Sequence, residues 1–249
     1  MDNISTVVLS RLIAQSRALE VTATNLANAT TPGFRAERSQ FMTWLARQPA
    51  GAEPPGAGPI AFTQHGATWR DTTVGSLRHT GNPLDLAITD AQGWFTVATP
   101  RGPRLTRAGQ FQLAAGGGVV DALGDPLLDS NGRPLQTAPT DTQLTVAADG
   151  TLASENGPIG RIGVVQPEDA TKLTAEGDTL FDAATPTSPL AAPGIVQGAV
   201  EQSNVRPIQE LSTMMQQQRE FQLATQMIQA ESDRELTAID KIVTRPPGA

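Results

Sequence analysis

The sequence predicts a mixed α and β fold, mainly β, in which an antiparallel β domain is flanked by N- and C-terminal helices. Three observations predict it. Apolar residues recur at three- and four-residue spacings near both ends of the chain. Between them, short alternating apolar runs are punctuated by turn residues. Gly 23 and Pro 19 together make up about a sixth of the 249 residues, against roughly 12% in average proteins, as expected of a chain rich in turns.

The N-terminal helix is expected within residues 1–30. Ile4, Val8, Leu12, Leu19 and Leu26 fall on one side, Asp2 is placed to cap the start, and Thr31-Pro32-Gly33 cannot continue the helix. An extended connecting region follows over 31–74 and contains the Pro/Gly/Ala-rich stretch 48–59. The antiparallel β domain spans 75–190. There Leu84, Leu86 and Ile88 alternate with Asp85 and Ala87, Trp94-Phe95-Thr96-Val97 forms a second run, and Gly116-Gly117-Gly118, Asn131-Gly132 and Asp149-Gly150 mark turns. Residues 191–204 read as a linker, and 205–249 as a C-terminal helix and tail. Ser203 or Asn204 caps that helix, Pro207 sits in its first turn and Pro246-Pro247 ends it. A helix over 205–243 would be about 58 Å long, more than the roughly 46 Å diameter of a compact globule of this length. Either the helix is broken or the molecule is elongated.

Both terminal segments carry seven-residue patterns, the signal for coiled-coil packing. One C-terminal series is Leu211, Gln218, Thr225, Ser232, Ile239, and the other is Met214, Phe221, Ile228, Glu235, Ile242. Polar residues interrupt both, so an isolated chain gains little from them. The expectation is that 1–30 and 205–243 become ordered among copies or relatives of the chain. The same pattern also permits an intramolecular helical hairpin packed on the β body.

Composition excludes several function classes. The net charge is −7 and the pI is near 4.8, which disfavours nucleic acid and anionic membranes as partners. Cysteine is absent, so there are no disulfides, thiolate metal sites or Cys nucleophiles. No run of 18 apolar residues crosses a bilayer, and no basic and then apolar N-terminal leader is visible. The two histidines, His65 and His79, lack partners at metal-ligand spacing. There is no GxSxG elbow and no GxxxxGK[ST] loop. The acidic run Asp121, Asp125, Asp129 with Asn131 fails the calcium-loop spacing and reads as turn residues. No catalytic residue, metal or cofactor is expected. Trp94, Phe95 and Phe111 are expected in the β core.

Three segments, in order, resemble the bacterial flagellar rod and hook protein family. The first is Thr24-Asn25-Leu26-Ala27-Asn28-Ala29-Thr30-Thr31-Pro32-Gly33-Phe34-Arg35, with Phe41 beyond it. The second runs from Gly81-Asn82-Pro83-Leu84-Asp85-Leu86 through Gly93-Trp94-Phe95 and Leu105-Thr106-Arg107-Ala108-Gly109 to Leu128-Asp129-Ser130-Asn131-Gly132. The third is Gly198-Ala199-Val200-Glu201-Gln202-Ser203-Asn204-Val205, followed by Gln218-Arg219-Glu220-Phe221. Chain length resembles that of a rod protein more than that of the longer hook protein. Phe34-Arg35-Ala36-Glu37 and Ala148-Asp149-Gly150-Thr151 before Ile159-Gly160-Arg161-Ile162 are more similar to proximal than to distal rod members, while Gln222 departs from the distal pattern.

The resemblance implies a structural subunit of the rod, exported unfolded by the flagellar type III apparatus without a cleaved signal and assembled in the periplasm. Its terminal helices would pack as a coiled coil in the rod and help transmit torque from motor to hook. Partners would be copies of the chain, other rod proteins and the export apparatus, with no nucleic acid, small-molecule substrate or membrane insertion. Leu12, Leu19, Leu26, Leu211, Met214, Gln218, Phe221, Ile228, Ile239 and Ile242 are then expected at helix-packing interfaces. Asn25 and Asn28 either cap the helix end or bond to a neighbouring subunit. A soluble adaptor with dimerising helical arms is the reading from another class, and a hook-type axial protein is the alternative within the family.

Overall fold

The computed structural model describes residues 3–46, 60–138, 141, 143–177 and 179–243. They divide into two compact units: residues 1–26, 38–68 and 207–249 in one, and 27–37 and 69–206 in the other. Two helices bound the described chain, α1 over Asn3–Ala27 and α2 over Pro207–Val243. α2 begins with proline, whose missing N–H costs nothing at a first helical position. At 37 residues it is about 56 Å long.

The connecting region differs from expectation. It carries two long strands, β1 (Glu37–Ala46) and β2 (Ile60–Arg70), joined in a two-stranded sheet. Their β-branched and aromatic content (Phe41, Thr43, Trp44, Phe62, Thr63, Trp69) favours a pleated surface. The Pro/Gly stretch 48–59 lies outside the described residues.

The second unit is built from short strands in antiparallel pairs. The first six are β3 (Leu77–His79), β4 (Leu86–Ile88), β5 (Trp94–Thr99), β6 (Gly102–Thr106), β7 (Gln112–Leu113) and β8 (Val119–Val120). After them come β9 (Leu144–Val146), β10 (Thr151–Ser154), β11 (Gly157–Arg161) and β12 (Val164–Pro167). The last five are β13 (Leu173–Glu176), β14 (Leu180–Ala183), β15 (Thr187–Pro189), β16 (Ile195–Gln197) and β17 (Ala199–Glu201). The largest sheet has six strands in the order β13-β14-β6-β5-β12-β15. Gly117, at φ 80°, closes the β7–β8 hairpin at the predicted triple-glycine turn.

Side chains alternate across β5 with the two-residue period of a strand. Phe95 and Val97 enter the main core with Leu86, Ile88, Phe111, Leu127, Leu152 and Ile195. Trp94, on the other face, packs with Leu105 and Phe181. Edge-on aromatic pairs fix both layers: Trp94–Phe181 at 5.0 Å between centroids and Phe95–Phe111 at 5.4 Å.

The segment read as a linker, 191–204, contributes two strands. β16 pairs with β4 and β17 with β3, and Ile195, Ala199 and Val200 are buried. Each strand has three residues and the two are separated by Gly198 alone, too short for alternation to be read from sequence.

Candidate assembly surface and the junction of the sequence motifs

α1 and α2 run antiparallel, joined by hydrogen bonds from Thr22 Oγ1 to Gln217 Oε1 (3.1 Å) and from Gln15 Nε2 to Glu220 Oε2 (3.5 Å). The buried face of α1 is Ala14, Ala18, Thr22 and Asn25, small residues at helical spacing that let a second backbone approach. The predicted leucines Leu12, Leu19 and Leu26 flank that face and are half-buried. Asn25 is buried, and Asn28, half-buried past the helix end, accepts from the Thr31 hydroxyl at 3.0 Å.

On α2, Met214, Phe221 and Ile228 turn inward beside Gln217 and Ala224. Leu211 and Gln218 of the other predicted series are exposed. At about 100° per residue, Gln217 and Ala224 complete the inner face, and Leu211 rotates away from it. Alanine and glutamine carry too little apolar signal for the sequence to choose between the two series. The side chains of Ile239 and Ile242 lie outside the described residues. Glu210, in the first turn of α2, is buried and pairs with Arg38 of β1 at 2.8 Å, a carboxylate well placed at a helix N-terminus.

The outer faces are apolar too. Of the thirteen large apolar side chains exposed among the described residues, eight are on the helices: Leu9, Ile13, Ile208, Leu211, Met215, Leu223, Met227 and Leu236. Ile208 is 82% exposed and Met227 65%. Helices apolar on both faces bury one and leave the other for a partner.

The second feature is a buried ionic junction. Arg35 Nη2 lies 2.8 Å from Glu201 Oε1, and Arg107 Nη1 lies 3.3 Å from Oε2. All three side chains are within about 1% of complete burial. The Gly75 N–H donates to Glu201 Oε1 at 2.9 Å. Arg107 donates to the carbonyls of Asp90, Ala91 and Ile88, and Arg35 to that of Thr73. Both guanidiniums lie against the Trp94 ring, at 5.9 Å for Arg35 and 5.3 Å for Arg107. The Nε atom of each has no hydrogen-bond partner. Burial pulls the Arg107 guanidinium down to about 10; Glu201 opposes this and the neighbouring Arg35 adds to it. Burial also lowers Arg35, again against Glu201. Both remain cationic at neutral pH, so two positive charges share one carboxylate.

Backbone contacts close the junction. Gly33 N donates to Glu201 O at 2.9 Å, and Asn204 Oδ1 accepts from Ala36 N at 2.7 Å. Asn204 Nδ2 reaches the carbonyls of Asp71 and Thr73. Phe34, Ala36 and Val205 form a small core of their own. Gly33 is at φ +72°, and a Cβ there would fall 2.2 Å from Ala108 N, so only glycine fits. Arg35, Arg107, Glu201 and Asn204 were absent from the expected interface set. Their signal in the sequence was a charged or amide side chain inside a motif whose neighbours are buried.

The acidic run serves turns. Asp121 Oδ1 accepts from Leu123 N and Asp125 N, and Asp129 Oδ1 from Asn131 N and Arg133 N. No group of three metal-ligating side chains occurs among the described residues. His79 is exposed on β3, and the His65 side chain lies outside the described residues.

Three family models match, in order along the chain. A flagella basal body rod protein model covers residues 7–35, a flagellar hook protein FlgE/F/G D1 domain model covers 87–178, and a flagellar basal body rod FlgEFG protein C-terminal model covers 196–240. Arg35, Arg107 and Glu201 come one from each, so the buried junction is where the three segments meet. The chain belongs to the flagellar basal-body rod protein family. Among its relatives, the rod protein FlgF of Caulobacter vibrioides is 32% identical over 97% of this chain and 98% of its own length. FlgF of Mesorhizobium japonicum is 34% identical over 87% and 88%. A rod protein FlgG, also from Caulobacter vibrioides, is 30% identical over 90% and 95%.

Proposed function

We propose that this chain is a structural subunit of the proximal rod of the flagellar basal body, with no catalytic role, held among copies of itself and other rod proteins by α1 and α2. The observation that carries the reading is the second apolar face on each helix, beyond the face that the two helices bury between them. The polar interruptions keep each seam weak in an isolated chain, so the helices gain most of their order when neighbours cover them. That suits a subunit exported unfolded by the flagellar type III apparatus, reaching the periplasmic rod without a cleaved signal and transmitting torque once packed. FlgF relatives reach 34% identity where FlgG relatives reach 30%, which favours the proximal position.

Hydrogen exchange on the purified chain tests the ordering. Fast exchange over 3–27 and 207–243 beside a protected 77–201 is expected. Equal protection throughout would mean that the helical hairpin is complete in the monomer, and a self-contained adaptor would then account for the arms.

A further inference from the structure

The β unit carries a projecting apolar knob and, elsewhere, a socket suited to it. The knob is Leu123, 73% exposed at the tip of the Asp121–Asp125 turn. A lone exposed leucine is ordinary; this one is held in place. Asp121 Oδ1 accepts from the N–H groups of Leu123 and Asp125, Gly124 N donates to Asp121 O, and Gly124 adopts φ +90°. Two carboxylates therefore flank the leucine. Burial, then the nearby Asp121, holds the Asp125 carboxyl above its usual range, a penalty that a cation from outside would relieve.

The socket is a cavity of about 270 Å³ lined by Asp129, Arg161, Ile162, Val164, Pro189 and Leu190, among others. That is at the small end of the range for ligand pockets and leaves room for a single side chain with its flanks. Its walls are mostly aliphatic, and Arg161 supplies a cation, fixed by donation from Nε to Asp149 O and from Nη2 to Ala191 O. Asp129 is already committed to its own turn through Asn131 N and Arg133 N.

Leu123 is not among the residues that line the socket of its own chain. Ala98 N donates to Pro126 O and Leu128 N to Thr96 O, which lays residues 126–128 along β5. The knob precedes that segment and the socket turn follows it, about 10 Å of extended chain away. Complementary features at different places on one molecule join head to tail, and such contacts continue as helical arrays instead of closing as dimers.

We propose that Leu123 of one copy enters the Arg161 socket of a second copy, with Asp125 meeting Arg161, as a contact between β domains additional to the helical arms. The proposal rests on the subunit reading above. The absence of cysteine gives a clean test. Full-length Leu123→Cys and Ala191→Cys chains are mixed and oxidised with copper–phenanthroline, and disulfide products are resolved on a non-reducing gel. The mixed dimer is expected about tenfold above either homodimer, and a chain carrying both substitutions is expected to give a ladder beyond dimer. Adding Arg161→Glu to the socket chain should remove the excess, and Asp125→Arg on the knob chain should restore it. Mixed dimer at the random proportion, or an excess untouched by Arg161→Glu, overturns the contact. Neither result bears on the arms, which are read by motility of helix variants that retain Leu123 and Arg161.

Discussion

Neutralising Glu201 is the sharpest perturbation of the junction. Glu201→Gln keeps the shape of the side chain and removes the one carboxylate that Arg35 and Arg107 share at 2.8 and 3.3 Å. Two buried cations then remain beside the Trp94 ring with no carboxylate between them, and the Gly75 N–H keeps only a neutral acceptor. Breaking a buried pair by removing one partner costs about 3–5 kcal/mol, a large part of the roughly 5–15 kcal/mol that holds a domain together. With a urea slope of about 2 kcal/mol/M, the midpoint falls by about 1.5–2.5 M. Urea unfolding followed by tryptophan fluorescence, with Trp44 and Trp69 changed to Phe so that Trp94 reports alone, reads the shift. The triple change Arg35→Met, Arg107→Met, Glu201→Leu removes all three charges together and should return stability to within about 2 kcal/mol of the parent. A Glu201→Gln loss below about 1 kcal/mol would refute the argument, because the junction charges would then be solvated or separately compensated.

Gly33→Ala forces a side chain into φ +72° against the Ala108 backbone, and a loss of at least about 2 kcal/mol is expected in thermal unfolding. Acid should weaken the β unit. Hydrogen bonds from Asn156, Thr151, Thr171 and Arg104 hold Asp141, Asp149, Asp169 and Glu176 below their usual range. Folded values lower than unfolded ones mean a contribution present above about pH 4 and lost as pH falls through the folded values. A falling melting temperature between about pH 4 and 2 checks this, and a flat profile contradicts it. Leu26→Asp or Phe221→Asp should abolish motility while the β unit melts as before; a motile variant would remove that residue from the packing account.

The helices and the β core were legible in the sequence because their signals are long or repeated. α1 and α2 span many turns, and Leu86, Ile88, Phe95 and Val97 alternate cleanly. The strands at 195–201 were not legible, because three residues on each side of Gly198 carry no period and their burial comes from pairing with β3 and β4, distant in sequence. β1 and β2 were obscured because the Pro/Gly/Ala-rich residues 48–59 between them dominate the composition of that segment. On α2 the inner face was half legible: Met214, Phe221 and Ile228 announced themselves, while Gln217 and Ala224 did not. The junction was hardest. Arg35, Arg107 and Glu201 read as motif letters, and their pairing depends on separations of 94 and 166 residues that only the fold resolves.

The most direct test of assembly through the arms is the accessibility of the outer face of α2. Leu223→Cys, in this cysteine-free chain, is treated with a maleimide as purified monomer and in basal bodies isolated from cells that swim with the variant. The account predicts rapid labelling of the monomer and protection in the basal body, with a cysteine at exposed Leu77 on β3 as the comparison. Equal labelling of Leu223→Cys in both states would contradict it, because a face that stays open in the finished structure is not the one that holds the subunit there.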